Sequence, residues 1–128
     1  MRIPILVIDD EPHFLELMLA ALGRRGFSVQ TAATARAALA LIESESFQLA
    51  VIDVRLGYAS GIDVLAELKA RQPQVRAVVV TGLPSDEIRA HAMARGADAF
   101  LSKPLAVAEL VEKLAALSAA EKEPPRPK

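Results

Sequence analysis

The segment LAVID, residues 49–53, indicates the fold, because four apolar residues in a row end in a carboxylate. A short apolar run of this kind predicts a strand that is buried on both faces and ends at the protein surface. The segment IPILVIDD at residues 3–10 has the same pattern, and VRAVVVT at residues 75–81 ends in a threonine instead. Shorter strands are predicted at residues 27–31 and 99–101.

Segments with helical spacing of apolar residues separate these strands. Helices are predicted over residues 12–25, 34–43, 61–71, 85–95 and 107–119. Thr34, Ser60 and Ser85 are the predicted N-caps, with Asp63 completing a capping box after Ser60. The predicted core face of the first helix comprises Phe14, Leu17, Met18, Ala21 and Leu22. Five successive β-α units predict an α/β fold, a doubly wound (βα)5 three-layer sandwich with a parallel five-stranded sheet.

Length and composition restrict the classes of function. A chain of 128 residues predicts one domain, here residues 1–120, while residues 121–128, with three prolines, are expected to be an extended tail or the start of a linker. The absence of cysteine excludes disulfides and thiolate metal sites. A net charge of −1 gives no basic surface for direct nucleic-acid binding. No apolar run approaches the ~18 residues of a membrane span, so a soluble cytoplasmic domain is expected.

Polar residues occur where the predicted strands end. Asp9 and Asp10 follow the first strand, Asp53 ends the third, Thr81 ends the fourth and Lys103 follows the fifth. The carboxyl ends of parallel strands share one edge of the sheet, where ligands bind in such folds. Three carboxylates at one edge repel one another unless a cation offsets them, and oxygen ligands favour Mg²⁺. A carboxylate nucleophile, a metal, an ammonium and a hydroxyl together suit phosphoryl transfer.

Four segments, taken together, resemble the receiver domains of two-component response regulators. They are VIDDEP at residues 7–12, VIDVRLGYASGIDVLAEL at residues 51–68, VVVTG at residues 78–82 and FLSKP at residues 100–104. The resemblance covers residues 3–117 and implies the flavodoxin-like strand order 2-1-3-4-5. It also implies a signalling switch that is phosphorylated on an aspartate and is not an enzyme in its own right, although it assists its own phosphotransfer and dephosphorylation.

The resemblance assigns a role to each residue of the site. Asp53 is the expected phosphoacceptor, and Asp9 and Asp10 are expected to hold Mg²⁺ together with Asp53 and the backbone carbonyl of Arg55. Lys103 would pair with the phosphoryl group, and the peptide bond from Lys103 to Pro104 would be cis. Thr81 and Phe100 would form the conformational switch.

Two positions depart from the usual pattern of the family. Gly57 stands where the family usually has proline, four residues after the phosphoacceptor, and glycine permits a more mobile loop there. Phe100 stands where many members have tyrosine, so that it can signal only through the packing of its ring.

The first helix also carries Leu15 and Leu19 outside the predicted core face. One interpretation is that both lie at the margin of the core. The other is that they form a docking surface for a kinase helix or for a second copy of the chain, because the apolar face would be unusually wide.

The resemblance implies partners and leaves alternatives. A sensor histidine kinase or a phosphotransfer protein would donate the phosphoryl group. A downstream output domain or protein would respond to it, and a homodimer is also compatible with the resemblance. The main alternative is a receiver-like module that binds proteins without phosphorylation. A hydrolase of the haloacid-dehalogenase kind would need a second acid where this chain has Arg55, and a nucleotide-binding flavodoxin-like protein would need a glycine-rich loop after the first strand.

Overall fold

The fold is built around a central parallel sheet. A computed structural model describes residues 2–122 of the protein. The strands of the sheet are β1 (Ile3–Ile8), β2 (Phe27–Ala32), β3 (Leu49–Asp53), β6 (Arg76–Thr81) and β7 (Ala99–Ser102). They lie in the order β2-β1-β3-β6-β7, and all neighbouring pairs are parallel. When only the strands of this sheet are counted, the order is 2-1-3-4-5, which confirms the predicted topology.

A small antiparallel hairpin that the sequence did not predict follows β3. It consists of β4 (Arg55–Leu56) and β5 (Ala59–Ser60), in which Arg55 pairs with Ser60 and Leu56 pairs with Ala59. Two-residue strands are too short to produce the alternating pattern by which strands are recognised. The hairpin therefore became visible only in the structure.

Within residues 2–122 five helices flank the sheet; the first four connect strands and the fifth follows the last strand. They are α1 (Pro12–Gly23), α2 (Ala35–Ser44), α3 (Gly61–Arg71), α4 (Asp86–Ala94) and α5 (Val107–Lys122). The three predicted N-caps are confirmed, since the hydroxyl oxygens of Thr34, Ser60 and Ser85 each accept a backbone N–H from the first turn of their helix. Helix α5 continues to Lys122, two residues into the segment expected to be an extended tail, and the remainder of that segment lies outside the described residues.

The core forms two layers, one on each face of the sheet. Successive residues of β1 point to opposite faces, so Ile5 and Val7 pack with α1 and α5, while Leu6 and Ile8 pack with α2 and α3. This arrangement confirms the three-layer sandwich. Within residues 2–122, no helix is long and apolar enough to cross a membrane.

One residue that was predicted to belong to the core face of α1 is exposed in the structure. Met18 and Leu22 are fully buried, as expected, but Leu17 is 49% exposed. The two buried residues of α1, Met18 and Leu22, are four residues apart, and the half-buried Phe14 continues the same i, i+4 row, beside which Leu17 lies. The prediction that Leu17 packs in the core was therefore wrong.

Candidate functional site

The carboxyl edge of the sheet brings the five predicted polar residues together. Asp53 ends β3 and is paired in register with Val80, which immediately precedes Thr81 at the end of β6. The backbone N–H of Lys103 donates to the carbonyl of Thr81 at 2.8 Å, which continues the contact of β6 and β7 beyond the strand ends. An open cleft of about 470 Å³ lies at this edge and is lined by Asp10, Glu11, Asp53, Arg55, Gly57, Gly82, Leu83 and Lys103.

The Lys103 ammonium joins two of the carboxylates. Its Nζ donates to Asp9 Oδ2 at 2.6 Å and to Asp53 Oδ2 at 3.1 Å. Burial alone would lower the pKa of Lys103, but the hydrogen bonds and charges of Asp9 and Asp53 outweigh burial and leave this pKa raised. Lys103 is therefore a fixed cation that offsets the two buried carboxylates.

Asp9 is fully buried and, unlike Asp10 and Asp53, is not among the residues that line the cleft. Its Oδ1 accepts the backbone N–H of Glu11 at 2.9 Å, and its Oδ2 accepts from Lys103. Burial raises the pKa of Asp9 by more than these hydrogen bonds lower it, and the charge of Asp53 raises it further. The folded protein therefore disfavours the charged form of this carboxylate, and an additional bound cation would stabilise it.

The three carboxylates fit a divalent cation. Asp9, Asp10 and Asp53 each offer one oxygen, and these oxygens lie within 4.8 Å of one another. Hard carboxylate oxygens of this kind are the ligands that Mg²⁺ and Ca²⁺ prefer. Arg55, whose carbonyl was predicted as a further ligand, lines the cleft, and its N–H donates to Asp53 Oδ1 at 3.1 Å. The role of its carbonyl stays a prediction.

Gly57 forms a tight turn at the position where the family usually has proline. It lies at the tip of the β4–β5 hairpin with Tyr58, has a φ of +63°, and its N–H donates to Asp10 Oδ2 at 3.0 Å. Glycine with positive φ at the first central position is typical of the tight two-residue hairpin turn. The hairpin pairing and the bond to Asp10 both involve this segment, and the greater mobility that glycine permits here stays a prediction.

Gly61 is a site residue that sequence reasoning missed. It begins α3, and its N–H donates to the Val54 carbonyl at 2.6 Å. A Cβ added here would overlap the carbonyl oxygen of Asp53 and lie 2.8 Å from its carbonyl carbon. Glycine is therefore required for α3 to approach the end of β3, and a tertiary contact of this kind leaves no signal in the local sequence.

Thr81 and Phe100, the two predicted switch residues, lie on the paired strands β6 and β7, and their role as a switch stays a prediction. Thr81 is buried, and its Oγ1 accepts the N–H of Leu83 at 3.1 Å. Phe100 is half-buried on β7, and the Arg89 guanidinium of α4 lies 5.9 Å from the centre of its ring. The Lys103–Pro104 peptide bond is cis, as the resemblance implied.

The two leucines proposed as a docking surface have different environments. Leu15 is half-buried and packs against the core, which agrees with the simpler interpretation that it lies at the core margin. Leu19 is 51% exposed, and its i−4 neighbour on the helix surface is Leu15, whereas the exposed Leu17 lies on another side of α1. Leu15 and Leu19 are thus neighbours on α1, Leu19 is the more exposed of the two, and their docking role stays a prediction.

The chain is similar in sequence to proteins of one family. A sequence model of the response regulator receiver domain matches residues 5–115. The photosynthetic apparatus regulatory protein RegA of Rhodobacter capsulatus is 34% identical over 121 residues, which are 94% of this chain and 66% of RegA. The chain spans 22% of the length of another curated relative.

Two solved structures are similar throughout the fold. A CheY-like response regulator receiver domain protein from Methanospirillum hungatei JF-1 is 32% identical with a TM-score of 0.92, over 95% of this chain and 98% of that one. A response regulator protein from Burkholderia pseudomallei, crystallised with a phosphorylated aspartic acid, a calcium ion and citrate, is 33% identical with a TM-score of 0.82, over 94% of this chain and 75% of that one. The chain therefore belongs to the response regulator receiver domains, the phosphorylation-dependent signalling domains of two-component systems.

Proposed function

We propose that Asp53 is the residue of this chain that accepts the phosphoryl group. The observation that carries the proposal is the placement of its carboxylate, which lines the open cleft while Lys103 Nζ lies 3.1 Å from its Oδ2. Asp9 is fully buried, whereas Asp10 is exposed and held by Gly57, so Asp53 alone of the three combines access from the cleft with direct contact to the ammonium.

The reaction forms a bond between an Asp53 carboxylate oxygen and phosphorus. The bond that breaks joins phosphorus to the imidazole nitrogen of a phosphohistidine, or to the acyl oxygen of a small acyl phosphate. Lys103 is positioned to move from bridging two carboxylates to contacting the transferred phosphoryl group, whose oxygens carry the developing charge. Asp9, Asp10 and Asp53 would hold Mg²⁺, with the Arg55 carbonyl as a further ligand, and the bound ion would supply positive charge against the phosphoryl oxygens.

The phosphoryl group would then be read by Thr81. Its hydroxyl, which now accepts the Leu83 N–H, would rotate to donate to a phosphoryl oxygen. The ring of Phe100 would move into the space that the Thr81 side chain has left, and it would lose its contact with Arg89. A shift from about 1:99 to about 99:1 in favour of the active state would require the phosphoryl group to favour that state by about 5.5 kcal/mol. Attack of water on the acyl phosphate, assisted by the same residues, would reset the switch.

Partners of the chain form part of the proposal. A sensor histidine kinase or a phosphotransfer protein would donate the phosphoryl group in the cytoplasm, and an output domain or protein would respond. Leu15 and Leu19, which are i,i+4 neighbours on α1, are a candidate contact for the donor, and a homodimer is one form of the output. Replacing both leucines with glutamate would slow transfer from a kinase that phosphorylates this chain, while leaving the rate with acetyl phosphate unchanged.

The test uses acetyl phosphate with Mg²⁺, followed by measurement of the intact mass. We expect one added phosphoryl mass in the wild type and none in Asp53→Ala or in buffer with a chelator. Asp63→Ala, a change of the same kind on the exposed surface of α3, is the matched control and should be modified like the wild type. If neither an adduct nor binding of beryllium fluoride is found, the protein-binding module without phosphorylation becomes the better interpretation.

A further inference from the structure

The aromatic ring of Phe14 lies against the ammonium of Lys103. Lys103 Nζ is 4.5 Å from the centre of this ring, although the two residues come from opposite ends of the chain. Phe14 lies in the first turns of α1, is half-buried, and packs against the core layer formed with α5. The ring is therefore held by the core, while one of its sides contacts the cation of the site.

An ammonium carries three N–H donors on a flexible four-carbon chain. Asp9 Oδ2 and Asp53 Oδ2 each accept a hydrogen bond from the Lys103 ammonium. The ring of Phe14 is a third group in contact with the same ammonium. The side chain of Lys103 is only 18% exposed, so little water competes for the contact. Attraction between a cation and an aromatic ring is strongest when the pair is desolvated in this way.

We propose that Phe14 is a positioning residue for phosphoryl transfer, acting through the attraction of its ring for the Lys103 ammonium. The inference rests on the proposed function of Asp53 and extends it to a residue outside the sheet edge. An ammonium that is already held beside Asp53 does not have to be ordered when the phosphoryl group arrives, and this ordering would otherwise slow the reaction. Phe14 does not touch the transferred group.

A simpler role for Phe14 would be to fill space beside the core. The two roles make different demands on the side chain. Space can be filled by leucine, or by a phenylalanine whose ring carries fluorine, because both are apolar and of similar size. Attraction of a cation requires the negative face of the ring, which leucine lacks and which successive fluorine atoms weaken.

The experiment measures the initial rate of phosphorylation by acetyl phosphate with saturating Mg²⁺. We expect Phe14→Leu to react about three- to tenfold more slowly than the wild type, and Phe14→Tyr, which keeps an aromatic ring, to react at nearly the wild-type rate. The initial rate of phosphorylation should fall progressively in chains with mono-, di- and trifluorinated phenylalanine at position 14. Phe27→Leu is the matched control, because Phe27 is buried in the same core layer at the start of β2, far from Lys103, and this variant should keep the wild-type rate.

A second readout does not depend on phosphorylation. NMR relaxation of the Lys103 ε-carbon reports how strongly the ammonium is ordered, and we expect lower order in Phe14→Leu and, in graded form, in the fluorinated series. Equal rates and equal Lys103 order across the series would overturn the inference. If the wild type itself is not phosphorylated, the proposed function fails, but the order measurement still decides whether Phe14 holds Lys103.

Discussion

The start of helix α3 at Gly61 lies directly against the backbone carbonyl of Asp53. A Cβ at Gly61 would overlap that oxygen and would also lie 3.1 Å from Ile52 Cγ2. Gly61→Ala must therefore displace either α3 or the end of β3, which carries the proposed phosphoacceptor. We expect a loss of about 1–3 kcal/mol in the free energy of unfolding, measured by urea denaturation, together with weaker binding of beryllium fluoride.

Gly23→Ala provides the matched control for this substitution. Gly23 ends α1, and a Cβ there would meet nothing within 4 Å. Alanine in a helix is favoured over glycine, so this variant should unfold at the same or slightly higher urea concentration than the wild type. If Gly61→Ala behaves like Gly23→Ala in both measurements, the close approach to Asp53 does not restrict the residue at position 61.

Asp9 is a site residue whose charge opposes folding when no metal is bound. Burial raises the pKa of Asp9 above its ordinary value of 3.8, so the folded protein holds this proton more tightly than the unfolded chain does. The stability that the folded state gains by binding this proton is fully present below pH 3.8. It is lost as the pH rises through the raised pKa of Asp9 in the folded protein. Asp9→Asn, a neutral side chain of the same shape, should therefore be more stable than the wild type at neutral pH by on the order of 1 kcal/mol.

The measurement for Asp9→Asn is urea denaturation with a chelator at several pH values. The gain over the wild type should be largest at neutral pH and shrink as the pH falls toward 3.8. Asp63→Asn is the control with the opposite sign, because Asp63 is an exposed acid in the first turn of α3, where its charge favours the helix by about 0.3–1 kcal/mol. A wild type that is more stable than Asp9→Asn throughout this range would contradict the prediction.

The bond from Gly57 to Asp10 distinguishes this chain from family members that have proline at the same position. Proline has no N–H to donate, and its φ of about −65° is incompatible with the φ of +63° observed at Gly57. Gly57→Pro should therefore disrupt the β4–β5 hairpin, release Asp10 and weaken Mg²⁺ binding several-fold in a calorimetric titration. Gly57→Asn keeps the N–H and tolerates positive φ, so its affinity should remain near that of the wild type. Equal Mg²⁺ affinity for the proline variant would show that the bond to Asp10 does not organise the site.

Much of the site could be predicted because it follows from the ends of buried strands. Asp9, Asp53 and Thr81 each end or follow an apolar run, and the parallel sheet brings such ends to one edge. Their convergence therefore required only the strands and their order, both of which the sequence pattern and the family resemblance supplied.

The features that were missed depend on contacts between distant segments. The turn at Gly57 depends on a hydrogen bond to Asp10, and the glycine at position 61 depends on how closely α3 approaches β3. Phe14 was placed correctly in the core face of α1, but its contact with Lys103 depends on how α1 sits beside the end of β7. Local patterns of apolar residues contain no information about such approaches, and this limit also explains why Leu17 was wrongly assigned to the core.

The hydroxyl of Thr81 is the one group through which we expect the phosphoryl group to reach Phe100. Thr81→Val keeps the shape of the buried side chain but removes the hydroxyl that now accepts from Leu83. This variant should bind beryllium fluoride or accept a phosphoryl group at Asp53, yet the NMR signals of the Phe100 ring should change far less than in the wild type. Thr81→Ser keeps the hydroxyl and should restore most of the change. A full response of Phe100 in the valine variant would mean that the signal travels by another route, with the lost contact between Phe100 and Arg89 as the next candidate to test.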